Sequence, residues 1–496
     1  MKHIVLYFSL FLFAYTNSYS QEYYYKEIEA PENVDLFRVI ENDEHGFLLF
    51  YPTPQFIDKE KQVWNFFNVD TVFHEIWNKK ISIPSGMDYL SGALNYPFLT
   101  LAFRNYEKPK SLLYLMNVNL ENGERTALPI KIDKKTTFEK ICSNGNSGVV
   151  ILENASALDI ALYFNIEHSD YKMLNSYFSN EKVVIGDIAY NIFDNNFLIT
   201  AQTYIKQNYV NTSLLEVSER GSRIKETLLE AIPDPSAFPY CFSILPDTNN
   251  IYISGVYCNA RKRERSYKKR DNLSIDGYFF YRLSDNGNEK ARIFPRSKLK
   301  NLTKKKKYNV NNINSTNVIP LIIKSELING NIVLLTEDYF PQYRNETRME
   351  HDYHGRLTPR VHVVFEGYRF LNGVSLHFNI DGDLLYTNTI DLFSVLEKEP
   401  RIHIAHFADS SSYMLSYLQG NKIASKVFSD NEIVHPLDFD QITTRKKGDN
   451  IVDTYNIRLE HWYSNYFFLY GYQRISNKII KPKERYIFML SKFKYE

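Results

Sequence analysis

The sequence is poor in the residues that mark several large classes of protein. It holds 3 Cys, 18 Pro and 19 Gly among 496 residues. So few Cys exclude a scaffold built from many disulfides, and so little Pro and Gly exclude a fibrous or low-complexity chain. The 59 basic and 58 acidic side chains leave a formal net charge of +1, so the overall charge indicates no particular partner. No apolar run reaches the roughly 20 residues that a membrane-spanning helix needs.

The motifs that identify many enzymes are also missing. The sequence has no nucleophile elbow, no phosphate-binding Gly loop, no paired Cys-x-x-Cys and no dinucleotide fingerprint. We therefore expect no cofactor, no metal and no specific nucleic-acid partner. These absences favour a protein that is not an enzyme.

The first twenty residues have the pattern of an export signal. Lys2 gives a positive start, an apolar run covers residues 4–15, and a short stretch of small and polar residues ends at Ser20. This is the pattern of a cleaved secretory signal, with the mature chain beginning at Gln21. We expect an exported protein that is periplasmic, associated with the outer membrane, or secreted.

Aromatic residues are abundant, and they occur in alternating segments. The chain has 38 Tyr and 34 Phe, which favours strands. The segment "HFNIDGDLLYTNTI" (377–390) alternates, turns at Asp381-Gly382-Asp383 and alternates again, as a β-hairpin does. Similar hairpins turn at Gly123, Gly221, Gly287 and Gly420, and their spacing of about 50 residues indicates a repeat.

A second hairpin precedes most of these turns, as in "NNIYISGVYC" (249–258) and "NGNIVLLTEDYF" (329–340). Four short antiparallel strands repeated around a ring predict an all-β fold, a β-propeller. We favour eight blades, with seven possible. The last unit ends after its third strand, "RYIFMLSKFKYE", and "YYYKEIEA" (23–30) can supply the fourth and close the ring. The mature residues 21–496 are thus one propeller domain, with a long loop insertion at 341–370.

Two of these units resemble a known group of proteins. The successions "IYISGVYC … IDGYFFYRLSDNG" and "NIVLLTEDYF … GVSLHFNIDGDLLYTNTI" resemble uncharacterised secreted β-propeller proteins of Bacteroidota. That group commonly has Trp where Tyr386 follows the turn. The resemblance implies a fold and a compartment, and it carries over no catalytic residues.

The Asp381-Gly382-Asp383 segment has two interpretations. A calcium loop needs several alternating oxygen ligands, and here only Asp383 and Asn379 accompany Asp381. Asn, Asp and Gly are also the residues that a tight hairpin turn requires. We predict a turn.

Other candidate sites are sparse. His351 and His354 stand three apart in the long insertion, too few ligands for a metal site by themselves. His403 and His406 fall on the innermost strand of the seventh unit, and Glu460 and His461 on that of the eighth, where they would line the central channel. Glu337 and Asp338 end an apolar strand, and we expect one of them to be paired with a neighbouring blade.

Two of the cysteines lie on the two arms of one predicted hairpin. If its loop is Asn249-Asn250, Cys241 and Cys258 face each other directly. Directly opposed strand residues are close enough to form a disulfide in an oxidising compartment. The alternative is a pair of reduced, buried thiols.

Propeller topology sorts the charged loops onto two faces. With the four strands of a unit called a to d in chain order, the a–b and c–d turns are acidic. The b–c loops and the links between units hold the basic runs "RKRERSYKKR" (261–270), "KLKNLTKKKK" (298–307) and "KIIKPKER" (478–485). Loops on a rigid scaffold often carry function. The predicted binding residues are Arg261, Lys262, Arg263, Lys268, Lys269, Arg270, Lys304, Lys305, Lys306 and Lys307.

Two functional hypotheses follow. The first is an exported, non-catalytic binding or assembly protein of the cell envelope. It would use the basic face against an anionic glycan, a lipid head group or an envelope protein. The alternative is a secreted glycan hydrolase or lyase with its site at the channel mouth, which needs titratable side chains that converge there.

Overall fold

The structure is a computed structural model. It describes residues 24–495 apart from 33–34, 106–110, 155, 157, 181, 230–231, 233–236, 260–274, 285–286, 289–290, 300–317, 394, 443, 445, 447 and 480–482. The predicted signal segment and the basic residues at 261–270 and 304–307 lie outside this described part.

The first half of the chain forms β1 and four sheets, each of four antiparallel strands. Strand β1 is Tyr24–Glu29. Blade 1 contains β2 (Arg38–Glu41), β3 (Phe47–Ile57), β4 (Lys61–Val69) and β5 (Glu75–Pro84). Blade 2 contains β6 (Asp88–Asn95), β7 (Phe98–Asn105), β8 (Ser111–Asn119) and β9 (Arg125–Ile132). Blade 3 contains β10 (Thr137–Ser143), β11 (Ser147–Glu153), β12 (Asp159–Asn165) and β13 (Asp170–Met173). Blade 4 contains β14 (Val183–Asn191), β15 (Asn196–Ile205), β16 (Asn208–Ser218) and β17 (Arg223–Leu228).

The second half forms the other four sheets. Blade 5 contains β18 (Ala237–Pro246), β19 (Asn250–Asn259), β20 (Ile275–Ser284), β21 (Gly287–Asn288) and β22 (Arg292–Pro295). Blade 6 contains β23 (Ile319–Ile328), β24 (Asn331–His351), β25 (Leu357–Phe378), β26 (Leu384–Asp391) and β27 (Leu396–Glu397). Blade 7 contains β28 (Ala405–Ala408), β29 (Tyr413–Gln419), β30 (Lys422–Ser429) and β31 (Glu432–Gln441). Blade 8 contains β32 (Asp449–Tyr463), β33 (Tyr466–Asn477), β34 (Glu484–Lys494) and the N-terminal β1. Short 3-10 turns occur at Asp43–His45, Asn175–Tyr177 and Arg296–Lys298.

The fold confirms an eight-bladed β-propeller closed by the N-terminal strand. Strand β1 pairs antiparallel with β34, from Tyr24 opposite Lys492 to Glu29 opposite Ile487. An ionic contact reinforces this closure, because Arg485 in β34 donates to Glu27 in β1 at 3.1 Å. The first residues of the described chain thus complete the sheet formed by the last.

The first strand of each blade lies innermost. The first strands of neighbouring blades contact each other: β14 contacts β18, and β28 contacts β32. These strands therefore surround the central channel. The blade faces pack together through aromatic side chains, as where Phe280 of blade 5 meets Phe378 of blade 6 with ring centroids 5.0 Å apart. No helix in the described part of the chain has the length and apolar character needed to cross a membrane.

The Asp381-Gly382-Asp383 segment is a hairpin turn, as predicted. The amide of Asn379 donates to the carbonyl of Asp383 at 3.0 Å, and Gly382 has a φ of 81°. Both carboxylates also have cationic partners on blade 5: Asp381 bonds Arg282 at 2.7 Å, and Asp383 bonds Arg292. This turn therefore also links two blades.

The hairpin that carries two cysteines has a different register from the predicted one. A four-residue turn places Pro246 opposite Ile251, and a bulge follows between Pro239 and Cys241. Cys241 consequently lies opposite Val256, and Cys258 lies opposite Phe238. The prediction that Cys241 and Cys258 face each other is wrong, and the disulfide inferred from it loses that geometric support.

The insertion at 341–370 is an extended ribbon of two antiparallel strands, where the sequence suggested a loop. Strands β24 and β25 continue well beyond their blade and stay paired from Tyr343 opposite Phe365 to His351 opposite Leu357. One strand face is mostly charged and the other is richer in apolar residues, a period-two pattern that strands favour.

Candidate functional site

The end of each innermost strand offers an equivalent position in all eight blades. Two residues before the last residue of that strand, blades 1 to 5 carry apolar side chains: Val39, Ala93, Ile141, Ala189 and Ile244. Blades 6 to 8 carry titratable ones at this position: Glu326, His406 and His461. At this position only β23, β28 and β32 carry titratable side chains, whereas those of blades 3 and 4 lie two residues earlier, at Glu139 and Asp187.

We call Lys324, Glu326, His406 and His461 the channel cluster. The Glu326 carboxylate bonds His406 Nε2 through one oxygen, and its other oxygen is 3.0 Å from Lys324 Nζ. Burial opposes ionisation of Glu326, but the bonds to His406 and Lys324 outweigh burial and lower its pKa to about 2. Glu326 is therefore a carboxylate at any physiological pH.

His461 has the properties of a neutral base. Its Nε2 lies 2.6 Å from the carbonyl oxygen of Ser464. Because a carbonyl oxygen only accepts, Nε2 carries the hydrogen and Nδ1 holds the lone pair. Burial lowers the pKa of His461, the bond to Ser464 opposes it, and the neighbouring His406 and Lys324 add to the lowering.

The exposure of the cluster leaves it open to a ligand. The Lys324 side chain is 49% exposed and the Glu326 side chain 26%, whereas His406 is buried behind them. A half-exposed ammonium next to a neutral imidazole can bind a carboxylate and accept a proton from a neighbouring carbon. The arrangement is that of a general acid–base site.

A second group of titratable residues lies on the other side of β32. Tyr470 donates to Glu460 at 2.8 Å, and Glu41 of blade 1 faces the same carboxylate. Burial, and then the negative charge of Glu460, raises the pKa of Glu41 well above its usual range. Glu41 therefore stays protonated where an ordinary glutamate ionises.

The innermost strands of blades 2 to 4 hold a cavity lined by uncharged side chains. This cavity of about 290 Å³ lies at the ends of β6, β10 and β14, and Asn95, Cys142 and Tyr190 are among the residues that line it. Burial raises the pKa of Cys142 to about 12, and burial together with Glu219 raises that of Tyr190 to about 12. Charge nevertheless lies close to this cavity, because Lys140 of β10 forms an ion pair with Asp187 of β14.

Several residues that the sequence singled out have structural partners. Glu337 accepts from the backbone amides of His403 and Ile404 at 2.7 Å each and from His403 Nδ1 at 3.0 Å. Asp338 forms a buried pair with Arg296 of blade 5. Both acids thus link neighbouring blades, where we expected only one to do so.

The remaining candidates are dispersed. His351 and His354 lie at the tip of the ribbon, far along the chain from the channel strands, and His351 bonds the carbonyl of Gly355 at 3.0 Å. Within the described residues, no group of three or more His, Cys, Asp or Glu is arranged to hold a metal ion. In the third basic run, Arg485 is engaged with Asp449 at 2.6 Å and is only 14% exposed.

Comparison with protein-family models and with curated proteins found no match. Among solved structures, a polysaccharide lyase has a TM-score of 0.41 at 9% identity, over 93% of this chain and 100% of that one. A prolyl endopeptidase has a TM-score of 0.39 at 8% identity, over 90% of this chain and 55% of that one. The β-propeller domain of the trilobed protease from Pyrococcus furiosus has a TM-score of 0.33 at 8% identity, over 81% of this chain and 95% of that one.

These similarities bear on two expectations. The fold they share is the β-propeller. This chain spans about half the length of the prolyl endopeptidase chain. The proteins named are enzymes or a part of one, which contradicts the expectation of a non-catalytic binding or assembly protein, and that expectation is withdrawn. At such low identity the likeness concerns the fold alone, so the chemistry must come from the residues of this chain.

Proposed function

We propose that the protein is an exported enzyme that cleaves an acidic polysaccharide by β-elimination at the channel cluster. The observation that carries the proposal is the wall of three titratable side chains on β23, β28 and β32, at positions that are apolar in the other five blades. Export is proposed from the signal pattern at residues 1–20.

The geometry suggests a role for each residue. Lys324 Nζ is exposed enough to pair with the carboxylate of a uronic acid. This ion pair makes the hydrogen on the carbon next to the carboxylate easier to remove, because it stabilises the negative charge that develops when the proton leaves. His461 Nδ1 then takes that proton. Glu326, which is paired with His406, holds the ammonium in place, and the Ser464 carbonyl holds the imidazole.

The atoms balance without a cofactor or water. The carbon–hydrogen bond breaks, its electron pair forms a carbon–carbon double bond, and the glycosidic oxygen on the next carbon leaves. The proton on His461 passes to that oxygen, which restores the neutral imidazole. The products are a chain with a new hydroxyl end and a chain that begins with an unsaturated sugar.

Hydrolysis is the second candidate. A neutral Glu41 beside the carboxylate of Glu460 is a pair whose environments separate the two protonation states, but the two carboxyls are hydrogen-bonded to each other, much closer than the roughly 5–9.5 Å between the acids of a glycosidase. Glu41 also faces Glu460 and Tyr470, whereas Lys324 of the channel cluster is half exposed to solvent. Elimination is therefore the better supported reaction.

The substrate class can be tested with a panel of polysaccharides. We expect the purified mature protein to release new chain ends from uronate-containing polymers and none from neutral glucans or from the same polymers with esterified carboxyls. Lys324→Gln should raise KM for the cleaved polymer by about tenfold or more, since an ion pair to carboxylate contributes about 1.5–3 kcal/mol. Equal cleavage of neutral and acidic polymers would contradict the proposal.

A further inference from the structure

The cavity at the ends of β6, β10 and β14 opens at the same mouth of the channel as the channel cluster. Every blade has the same order of antiparallel strands, so all innermost strands run in one direction and end at one mouth. The cluster lies there on blades 6 to 8, and the cavity lies there on blades 2 to 4. In a ring of eight these blades face each other, so a polymer that crosses the mouth reaches both places.

The lining of the cavity suits an uncharged ligand that is partly apolar. Leu94, Ile141 and Ile188 supply apolar surface, and Asn95 and Tyr190 supply neutral polar groups. Ligand sites commonly combine a mostly apolar lining with a few polar groups. The volume of about 290 Å³ is that of about ten water molecules in the liquid. A single sugar ring, which has apolar CH faces and a belt of hydroxyls, fits this size and this lining.

Exposed apolar side chains stand at the rim of the cavity. Ile192 lines it and is 62% exposed, and the next residue, Phe193, is 45% exposed. On the other side of β10, Tyr96 follows the lining residue Asn95 and is 42% exposed. His45 of blade 1 stacks on one face of the Tyr96 ring, with centroids 3.9 Å apart and 5° between the planes. The other face of this fixed ring is open to stack on the CH groups of a sugar.

The charges beside the cavity select against an anionic sugar. Glu219 accepts from Tyr190 at 2.5 Å and from Asn144 at 2.8 Å, both through Oε1. Its Oε2 accepts from no side chain in the described part of the chain, so it is available to a sugar hydroxyl. Lys140, the cation of β10, is already paired with Asp187. A carboxylate accepts from hydroxyls and repels the carboxylate of a uronic acid.

We propose that the cavity is a second sugar subsite, which binds a neutral pyranose of the polymer whose uronate lies at the channel cluster. The inference rests on the proposed function, because the polymer is the substrate named there. It narrows the substrate class to polysaccharides that carry uronates and neutral sugars in the same chain. A homopolymer of uronate would place a carboxylate beside Glu219 and should bind less tightly.

Saturation-transfer NMR with methyl glycosides tests the subsite without any cleavage. It is carried out on the Lys324→Gln variant, so that uronate binding at the channel cluster does not contribute. From a panel of methyl glucoside, methyl galactoside and methyl mannoside, at least one should bind with a dissociation constant of about 1 mM, as expected for so small a ligand. Methyl glucuronide should give no signal.

Two further substitutions test the location. Ala93→Phe fills the cavity and should abolish the signal. Ala189→Phe is the matched control, because Ala189 has the equivalent position on β14 and is half-buried like Ala93, but its side chain lies outside the lining. Tyr96→Ala should weaken binding by about three- to tenfold, the usual contribution of one stacked ring. Tyr171→Ala removes an equally exposed ring on the outer strand of blade 3 and should have no effect.

The outcomes separate this subsite from the proposed reaction. Binding of a neutral glycoside that is lost in Ala93→Phe and kept in Ala189→Phe supports the subsite even when no polymer is cleaved. No binding by any neutral glycoside, or equal loss in the two Phe variants with unchanged unfolding midpoints, excludes the subsite and leaves elimination at the channel cluster to its own test. Tighter binding of methyl glucosaminide, whose ammonium Glu219 would attract, or of methyl glucuronide would overturn the neutral class.

Discussion

Replacing His461 with Gln should lower kcat on an acidic polysaccharide by about 10²–10⁴-fold, the usual contribution of a general base. The amide of Gln can still donate to the Ser464 carbonyl but cannot take up a proton, so KM and the unfolding midpoint should change little. The same substitution at His354, exposed at the ribbon tip, is the matched control and should leave kcat unchanged.

The pH profile gives a second readout of the same residue. A base works only when it is neutral, so activity should fall as the pH drops through the pKa of His461. Burial, His406 and Lys324 lower that pKa and outweigh the Ser464 bond and the Glu326 charge, which raise it, so the acidic limb should lie below the value of about 6.5 for an unperturbed imidazole. If the His461→Gln variant keeps the wild-type kcat, or if its pH profile keeps the wild-type acidic limb, His461 is not the base.

The largest expected loss of stability follows from the buried pair between blades 5 and 6. Arg296 Nη1 donates to Asp338 at 3.0 Å, and the Asp338 side chain is fully buried while that of Arg296 is 13% exposed. Burial lowers the pKa of Arg296, but Asp338 more than compensates, so the guanidinium stays charged. Asp338→Asn should therefore lower the free energy of unfolding by about 3–5 kcal/mol, because it leaves a buried cation without its counter-charge.

Two controls separate this effect from general sensitivity to mutation. Glu346→Gln removes a carboxylate from an exposed pair with Arg348 and should leave the denaturation midpoint unchanged. The double variant Arg296→Met with Asp338→Leu should recover most of the stability lost in Asp338→Asn. An Asp338→Asn midpoint equal to that of the wild type would mean that the pair does not hold the two blades together.

Much of the fold is predictable from local residue patterns. Asn, Asp and Gly at turns, with alternation on both sides, identified the hairpins, and their spacing gave eight blades closed by "YYYKEIEA". The register of single hairpins was less predictable. A four-residue turn and a bulge near Cys241 moved Cys258 opposite Phe238, and neither feature has a strong sequence signal.

The channel cluster was only half predictable. His406 and His461 were identified as channel residues, but Lys324 and Glu326 were not, because "IIKSELI" reads as an ordinary amphipathic strand. The difference between blades becomes visible only when the innermost strands are aligned at their last residues. Glu326 then occupies the position that Ile244 has in the preceding blade. The ribbon was mistaken for a loop because its apolar side chains face solvent rather than a core.

The identity of the cleavage product tests the central claim most directly. The mature protein is incubated with a uronate-containing polysaccharide in water enriched in heavy oxygen, and the fragments are analysed by mass spectrometry and ultraviolet absorbance. β-Elimination at the channel cluster predicts fragments with an unsaturated terminal sugar and no heavy oxygen, and their loss in His461→Gln. Saturated fragments that carry heavy oxygen, or a polymer that remains intact, would contradict it.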